Sequence, residues 1–177
     1  MKAQRVLFAL VFISVAALAT TVVPASIERL TEQSTHVTLA RAVDNRSVWD
    51  ASHTRIYTLT RFQPVRLMKG ALPATFTVKR LGGHADGYTM KVAGVRGWQP
   101  GENAVLFLQP DVDGSYVVTG LMQGDFRLGR QASGDLTVSN GVRGAKQLDA
   151  NGQVSEFQGS RMTLTELEQR VRKVAVR

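Results

Sequence analysis

Five apolar residues stand in a row from Ala104 to Leu108, entered from a turn-rich segment that runs from Gly94 to Gly101. A short unbroken apolar run bounded by turn residues predicts a strand buried on both faces. This run is the central strand, because nothing else after residue 25 is as apolar. Other segments alternate and so predict half-buried strands. In Ala74–Arg80, Phe76 and Val78 face one way while Thr75, Thr77 and Lys79 face the other. Tyr88, Met90 and Val92 alternate with Thr89 and Lys91. Val37 to Val43 reads as the first strand, closed by a turn at Asp44–Ser47. Arg55 to Leu67 reads as a long second strand in which Pro64, which has no ladder donor, marks a bulge, an edge or a bend. Asp111 to Gly114 is a hairpin turn into Tyr116–Thr119.

Helical spacing is confined to the two ends. Ser26 is placed to cap a short helix through Gln33. Near the C-terminus, Thr163 and Glu166 form a capping box, and Leu164, Leu167, Val171 and Val174 recur on one face. Such a helix either docks on the barrel, the favoured reading because its apolar stripe is narrow and lacks an aromatic anchor, or lies on a membrane. Between Gly124 and Ser160 the strands are short and weakly apolar, as hairpins laid on the main body would be. The fold class expected is mainly β: an OB-like barrel of five to six strands with a short N-terminal helix, added C-terminal hairpins and a C-terminal helix.

Residues 1–25 have the pattern of a signal peptide. Lys2 and Arg5 precede the apolar Val6–Leu18, and both Ala17-Leu18-Ala19 and Val23-Pro24-Ala25 end in small residues. The second site is preferred, since Ser26 then opens a helix; an uncleaved anchor is the alternative. The expected layout is a signal peptide at 1–25, a barrel at 26–124, a hairpin extension at 125–160 and an amphipathic helix at 161–177. The protein is then exported, to the periplasm or the extracellular space. It contains no cysteine, so its core holds it together without disulfides, which points to a bacterial envelope. The net charge is +8, or +6 once Lys2 and Arg5 are set aside.

Ser26-Ile27-Glu28-Arg29-Leu30, Trp49, Ile56-Tyr57-Thr58, Met68-Lys69-Gly70, Gly82-Gly83 and the segment from Gly101 to Leu108 occur in that order. Together they resemble a group of small exported bacterial proteins, largely uncharacterised. Their pattern is a short helix, a strand with a Gly, a Trp-Asp loop, Ile-Tyr-Thr, Leu-Lys-Gly, Pro-Gly-Gly, and Gly-Glu leading into Leu-Phe-Leu. The resemblance covers residues 26–124 and implies an OB-like barrel of the netrin or tissue-inhibitor-of-metalloprotease type. Ala40, Met68 and Leu81 depart from that pattern at positions with structural roles. The inhibitors of that type chelate zinc through an N-terminal cysteine; this chain has none, so no functional residue transfers.

Chemistry is sparse. His36, His53 and His84 are far apart, without the ligand spacing of a metal site. There is no nucleophile elbow and no phosphate loop. A triad would have to bring His84 and Asp86 to a distant hydroxyl. No metal, cofactor or catalytic residue is therefore expected. Trp49 and Trp98 each sit beside a turn, where a Trp either plugs a barrel end or anchors a partner. Arg170, Arg172, Lys173 and Arg177 are the densest basic group and the candidate anion-binding residues. The leading expectation is a non-catalytic domain binding an envelope or secreted protein, a protease among the candidates. The alternatives are a basic surface for anionic polysaccharide, lipid or membrane, and an unrecognised hydrolase. Nucleic acid is disfavoured, because the polar face of the third strand carries no aromatic.

Overall fold

The structure is a computed structural model that describes residues 21–141, 145–149 and 151–176. In chain order, β1 (Thr21–Val22) leads to α1 (Ile27–Gln33), β2 (His36–Trp49), β3 (Ile56–Lys69) and β4 (Phe76–Leu81). A small hairpin follows, β5 (Gly83–Ala85) and β6 (Tyr88–Met90), then β7 (Asn103–Pro110) and β8 (Tyr116–Val118). A 3₁₀ turn at Leu121–Gly124 opens into β9 (Asp125–Arg130) and β10 (Leu136–Ser139). The chain ends with β11 (Lys146–Leu148), β12 (Val154–Glu156), β13 (Arg161–Thr163) and α2 (Leu164–Ala175).

Strands β7, β2, β3, β4 and β8 pair in that order, and β8 pairs back onto β7, so five strands close into a barrel. All contacts are antiparallel except β4–β8, which has a single register pair, Val78 with Tyr116. The third and fifth barrel strands are thus the parallel neighbours, an OB-like order. Beyond the barrel, β9 continues along β7, pairing Ala104–Leu106 where β8 pairs Leu108–Pro110, and β10 and β13 extend that sheet.

This arrangement explains the unbroken apolar run. Ala104, Leu106 and Leu108 point into the barrel with Phe62, Phe76 and Val78. Val105 and Phe107 point outward into a second core with Val37, Leu39, Phe126 and the helices. A strand with apolar layers on both faces has no polar side to show. The C-terminal helix docks as favoured, with Leu164, Leu167 and Val171 in that second core. The helix starts are capped as expected: Arg29 N donates to Ser26 Oγ at 3.2 Å and Glu166 N to Thr163 Oγ1 at 3.1 Å. Helix α1 has no basic residue in its last turn. Instead Lys69, from β3, donates to the carbonyls of Thr31 and Ser34 at 2.6 and 2.8 Å, complementing the negative helix end.

Several expectations are corrected. Asp44–Ser47 is not a turn: β2 runs through it to Trp49 and absorbs the irregularity as a register shift between Ala42 and Asp44. The Tyr88 strand is not a barrel strand but pairs only with β5, across Asp86-Gly87 at φ 49° and 82°, the signature of a tight primed turn. The strands after residue 124 lie outside the closed barrel and dock firmly on it: β9 is hydrogen-bonded to the central strand and Phe126 and Val138 are fully buried. Pro64 does sit at an irregularity, next to the shift at Leu39/Ala40. Most of the expected signal peptide, residues 1–20, lies outside the described residues. Thr21–Ala25 belong to the fold: β1 pairs with β11, and Ala25 N donates to Gln123 Oε1 at 2.7 Å. Among the described residues no helix is long and apolar enough to cross a membrane.

Candidate functional site

The two tryptophans occupy opposite environments. Trp49 ends β2, at the rim of the barrel. Its ring stacks on His53 at 5.8 Å and meets Tyr88 edge-on at 5.6 Å. Its Nε1 donates to Asp86 Oδ2 at 3.0 Å. Tyr88 is 66% exposed and His53 is exposed. The β2–β3 turn that carries His53 is organised by Asp50. Desolvation pushes the Asp50 carboxyl up, but the N–H groups of Arg55 and Thr54 and the hydroxyls of Thr54 and Ser52 outweigh it and hold the pKa at about 2. The β5–β6 hairpin delivers Tyr88 and Asp86 to the same place. Asp86 therefore serves Trp49, while His84 Nδ1 bonds Thr89 Oγ1 at 2.9 Å. His84 and Asp86 do not form a relay.

Trp98 is 2% exposed and plugs the barrel, edge-on to Phe62 at 5.2 Å. As a candidate partner anchor it is corrected: its ring has no free face. The Arg80 and Arg127 guanidinium groups lie over it at 5.3 and 5.4 Å, and its Nε1 donates to Asp125 Oδ1 at 3.1 Å. Asp125 is itself buried. Burial raises its pKa, against the opposing pull of Arg127, the indole N–H and Arg96. Arg127 is the hub of this cluster, reaching Glu102 at 2.8 Å, the Gly97 carbonyl at 2.6 Å and Asp125 at 3.2 Å.

Beside Trp98 the β4–β8 pairing stops after one residue pair, and a cavity of about 410 Å³ occupies the seam. Arg80 and Arg96 line it, together with apolar Val95, Val118, Leu121 and Met122. Two residues leave room there. Gly94, at φ 78°, would place a Cβ 2.1 Å from Met122 Cε. A Cβ on Gly97 would stand 2.8 Å from Arg80 Nη2.

One member of the C-terminal basic group is firmly paired. Arg170 forms a two-point pair with Glu28 at 2.7 and 2.8 Å, which holds the Glu28 carboxyl at about 2. Arg172 is exposed and 4.0 Å from Glu168, Lys173 is exposed, and Arg177 lies outside the described residues. Sequence reasoning did not find Arg80, Arg127 or Asp125. They come from two strands distant in the chain, and their only local signal was Arg96 two residues before Trp98 in a glycine-rich loop. Among the described residues no three His, Asp or Glu converge as metal ligands would. No family model matches the chain, and comparison with curated proteins finds no significant match.

Proposed function

We propose that this chain is an exported, non-catalytic binding domain that engages an envelope or secreted protein through the Trp49 cluster. The observation that carries the reading is the group formed by half-buried Trp49 with exposed Tyr88 and His53, held by Asp86 at one rim of a closed barrel. Tyr and Trp dominate binding hot spots, because they bury large area at low entropic cost. Both loops that build the group are fixed by their own hydrogen bonds, so little ordering opposes binding. The five-strand barrel supports likeness to the netrin and tissue-inhibitor type. Lacking cysteine, the chain would meet a protease partner through side chains and not by zinc chelation. Export to the periplasm or medium rests on the signal-peptide pattern of the first residues.

The test is a crosslinked pull-down from the envelope and culture medium of the host, at low and high salt, with the wild type, Tyr88→Ala and Arg170→Ala. The reading predicts one stoichiometric protein partner at both salt concentrations, lost with Tyr88→Ala and kept with Arg170→Ala. Capture of polysaccharide, lipid or DNA that disappears at high salt, where the screening length falls from about 10 to about 3 Å, would replace it with the anionic-surface reading.

A further inference from the structure

The arginines that line the cavity beside Trp98 carry more donors than the described residues satisfy. Nε and Nη1 of Arg80 and Nε of Arg96 are shut from solvent and meet no acceptor among the described residues. Buried donors are nearly always paired, and an unpaired one costs about 1–3 kcal/mol, more when charged. The neighbouring acids are committed elsewhere. Asp125 accepts from Trp98 and Arg127, and stands 3.9 Å from Arg96 Nε, beyond hydrogen-bond reach. Glu102 accepts from Arg127 and from the Gln99 backbone N–H at 2.5 Å. Lys79 and Asp111 at the cavity wall pair with each other, and Arg80, Arg96 and Arg127 against Asp125 and Glu102 leave one positive charge over. Burial and the like charge of Arg127 lower the Arg80 pKa against the pull of Asp125, as expected for a cation without a counter-ion.

We propose that this cavity binds a monocarboxylate with an apolar body, its carboxylate accepting from Arg80 and Arg96. A single negative charge matches the excess. A phosphate dianion would exceed it and be repelled by the carboxylate of Asp125. The planar guanidinium fork suits a carboxylate. The apolar part of the wall, Val95, Val118, Leu121 and Met122, suits an aliphatic or aromatic body, and the volume lies within the range of small-molecule sites. Such a carboxylate is carried by a small free acid or by the C-terminal residue of a peptide. This site is separate from the Trp49 cluster and does not depend on it.

The test is calorimetric titration and thermal melting of the purified protein with phenylacetate, octanoate and a dipeptide ending in free phenylalanine. Phenylacetamide, the amidated dipeptide and inorganic phosphate serve as controls. At least one carboxylate binds saturably and raises the melting temperature, while the amides and phosphate bind at least about tenfold more weakly. Whether the free acids or the dipeptide bind more tightly identifies the source of the carboxylate. Arg80→Gln loses at least about tenfold in affinity, yet melts no lower than wild type without ligand, because it removes a buried unpaired charge. Tyr88→Ala binds the acid as wild type does, so failure here and failure of the protein-binding reading are distinguishable. No carboxylate binding, equal binding of the amides, or unchanged affinity in Arg80→Gln would overturn the proposal.

Discussion

Replacing Leu167 by alanine should unlock the C-terminal helix from the barrel. Leu167 is fully buried in the first turn of α2, among Ile27 and Leu30 of α1 and the outward side chains of the sheet. Leucine-to-alanine changes at such sites cost about 2–5 kcal/mol, rising with the cavity left behind. Collapse is hindered here, because α1 is tied to α2 by the Glu28–Arg170 pair and to β3 by Lys69. The cost therefore belongs in the upper half of the range, about 3.5–5 kcal/mol, which lowers the melting temperature by roughly 7–20 °C for a domain of this size. Val174→Ala, at a half-buried position about two turns on, should cost about 1 kcal/mol or less. The assay is urea unfolding followed by circular dichroism and by Trp98 fluorescence in a Trp49→Phe background. Coincident transitions shifted by the stated amount would show α2 to be part of one cooperative unit. A cost under about 1 kcal/mol, with the Trp98 transition unmoved, would refute the docking and return α2 to the membrane-surface alternative.

Further outcomes follow from the charged and glycine positions. The Glu28 carboxyl is held at about 2 against an ordinary 4.5, mainly by the Arg170 hydrogen bonds. Its stabilisation is complete above pH 4.5 and disappears as the pH falls towards 2; because both side chains are partly exposed, it amounts to about 1 kcal/mol. Acid unfolding of Glu28→Gln should show that part missing at pH 7 and no difference near pH 2. Asp125→Ala, which leaves Arg127 and Arg96 without their buried carboxylate, should destabilise by about 3–5 kcal/mol in urea. Gly94→Ala must hold φ 78° and displace Met122, and should cost about 1–3 kcal/mol by thermal melting. Tyr88→Ala should change stability by no more than about 0.5 kcal/mol, since its ring is mostly in solvent.

Local rules made much of the fold legible. The apolar run at Ala104–Leu108 marked the central strand, the alternation around Phe76 and Val78 marked a barrel wall, and Ser26 and Thr163 marked the helix starts. The errors arose where tertiary pairing overrode local chemistry. Asp44 and Asn45 look like a turn, but partners on β3 keep them in a strand, and Asn45 donates to the Trp98 carbonyl at 2.6 Å. The weakly apolar Asp125–Ser139 looked peripheral, yet it pairs with the central strand and buries Phe126 and Val138. The candidate site was half legible. Both tryptophans were singled out, and nothing local could separate them. Trp49 meets Tyr88 and Asp86 through a hairpin formed some forty residues later, and Trp98 meets arginines from β4 and β9. The arginine-lined cavity exists only because β4 and β8 part after a single residue pair, a property of the closed barrel and not of any segment.

The account turns on these two tryptophans having opposite roles, one presented and one packed. Acrylamide quenching of tryptophan fluorescence tests that directly, in the wild type and in Trp49→Phe. The prediction is two populations in the wild type, one accessible and one shielded, with Trp49→Phe retaining only the shielded one and unfolding in urea as a native protein does. A single accessible population remaining in natively folded Trp49→Phe would place Trp98 at the surface and contradict both the plugged barrel and the cavity built beside it.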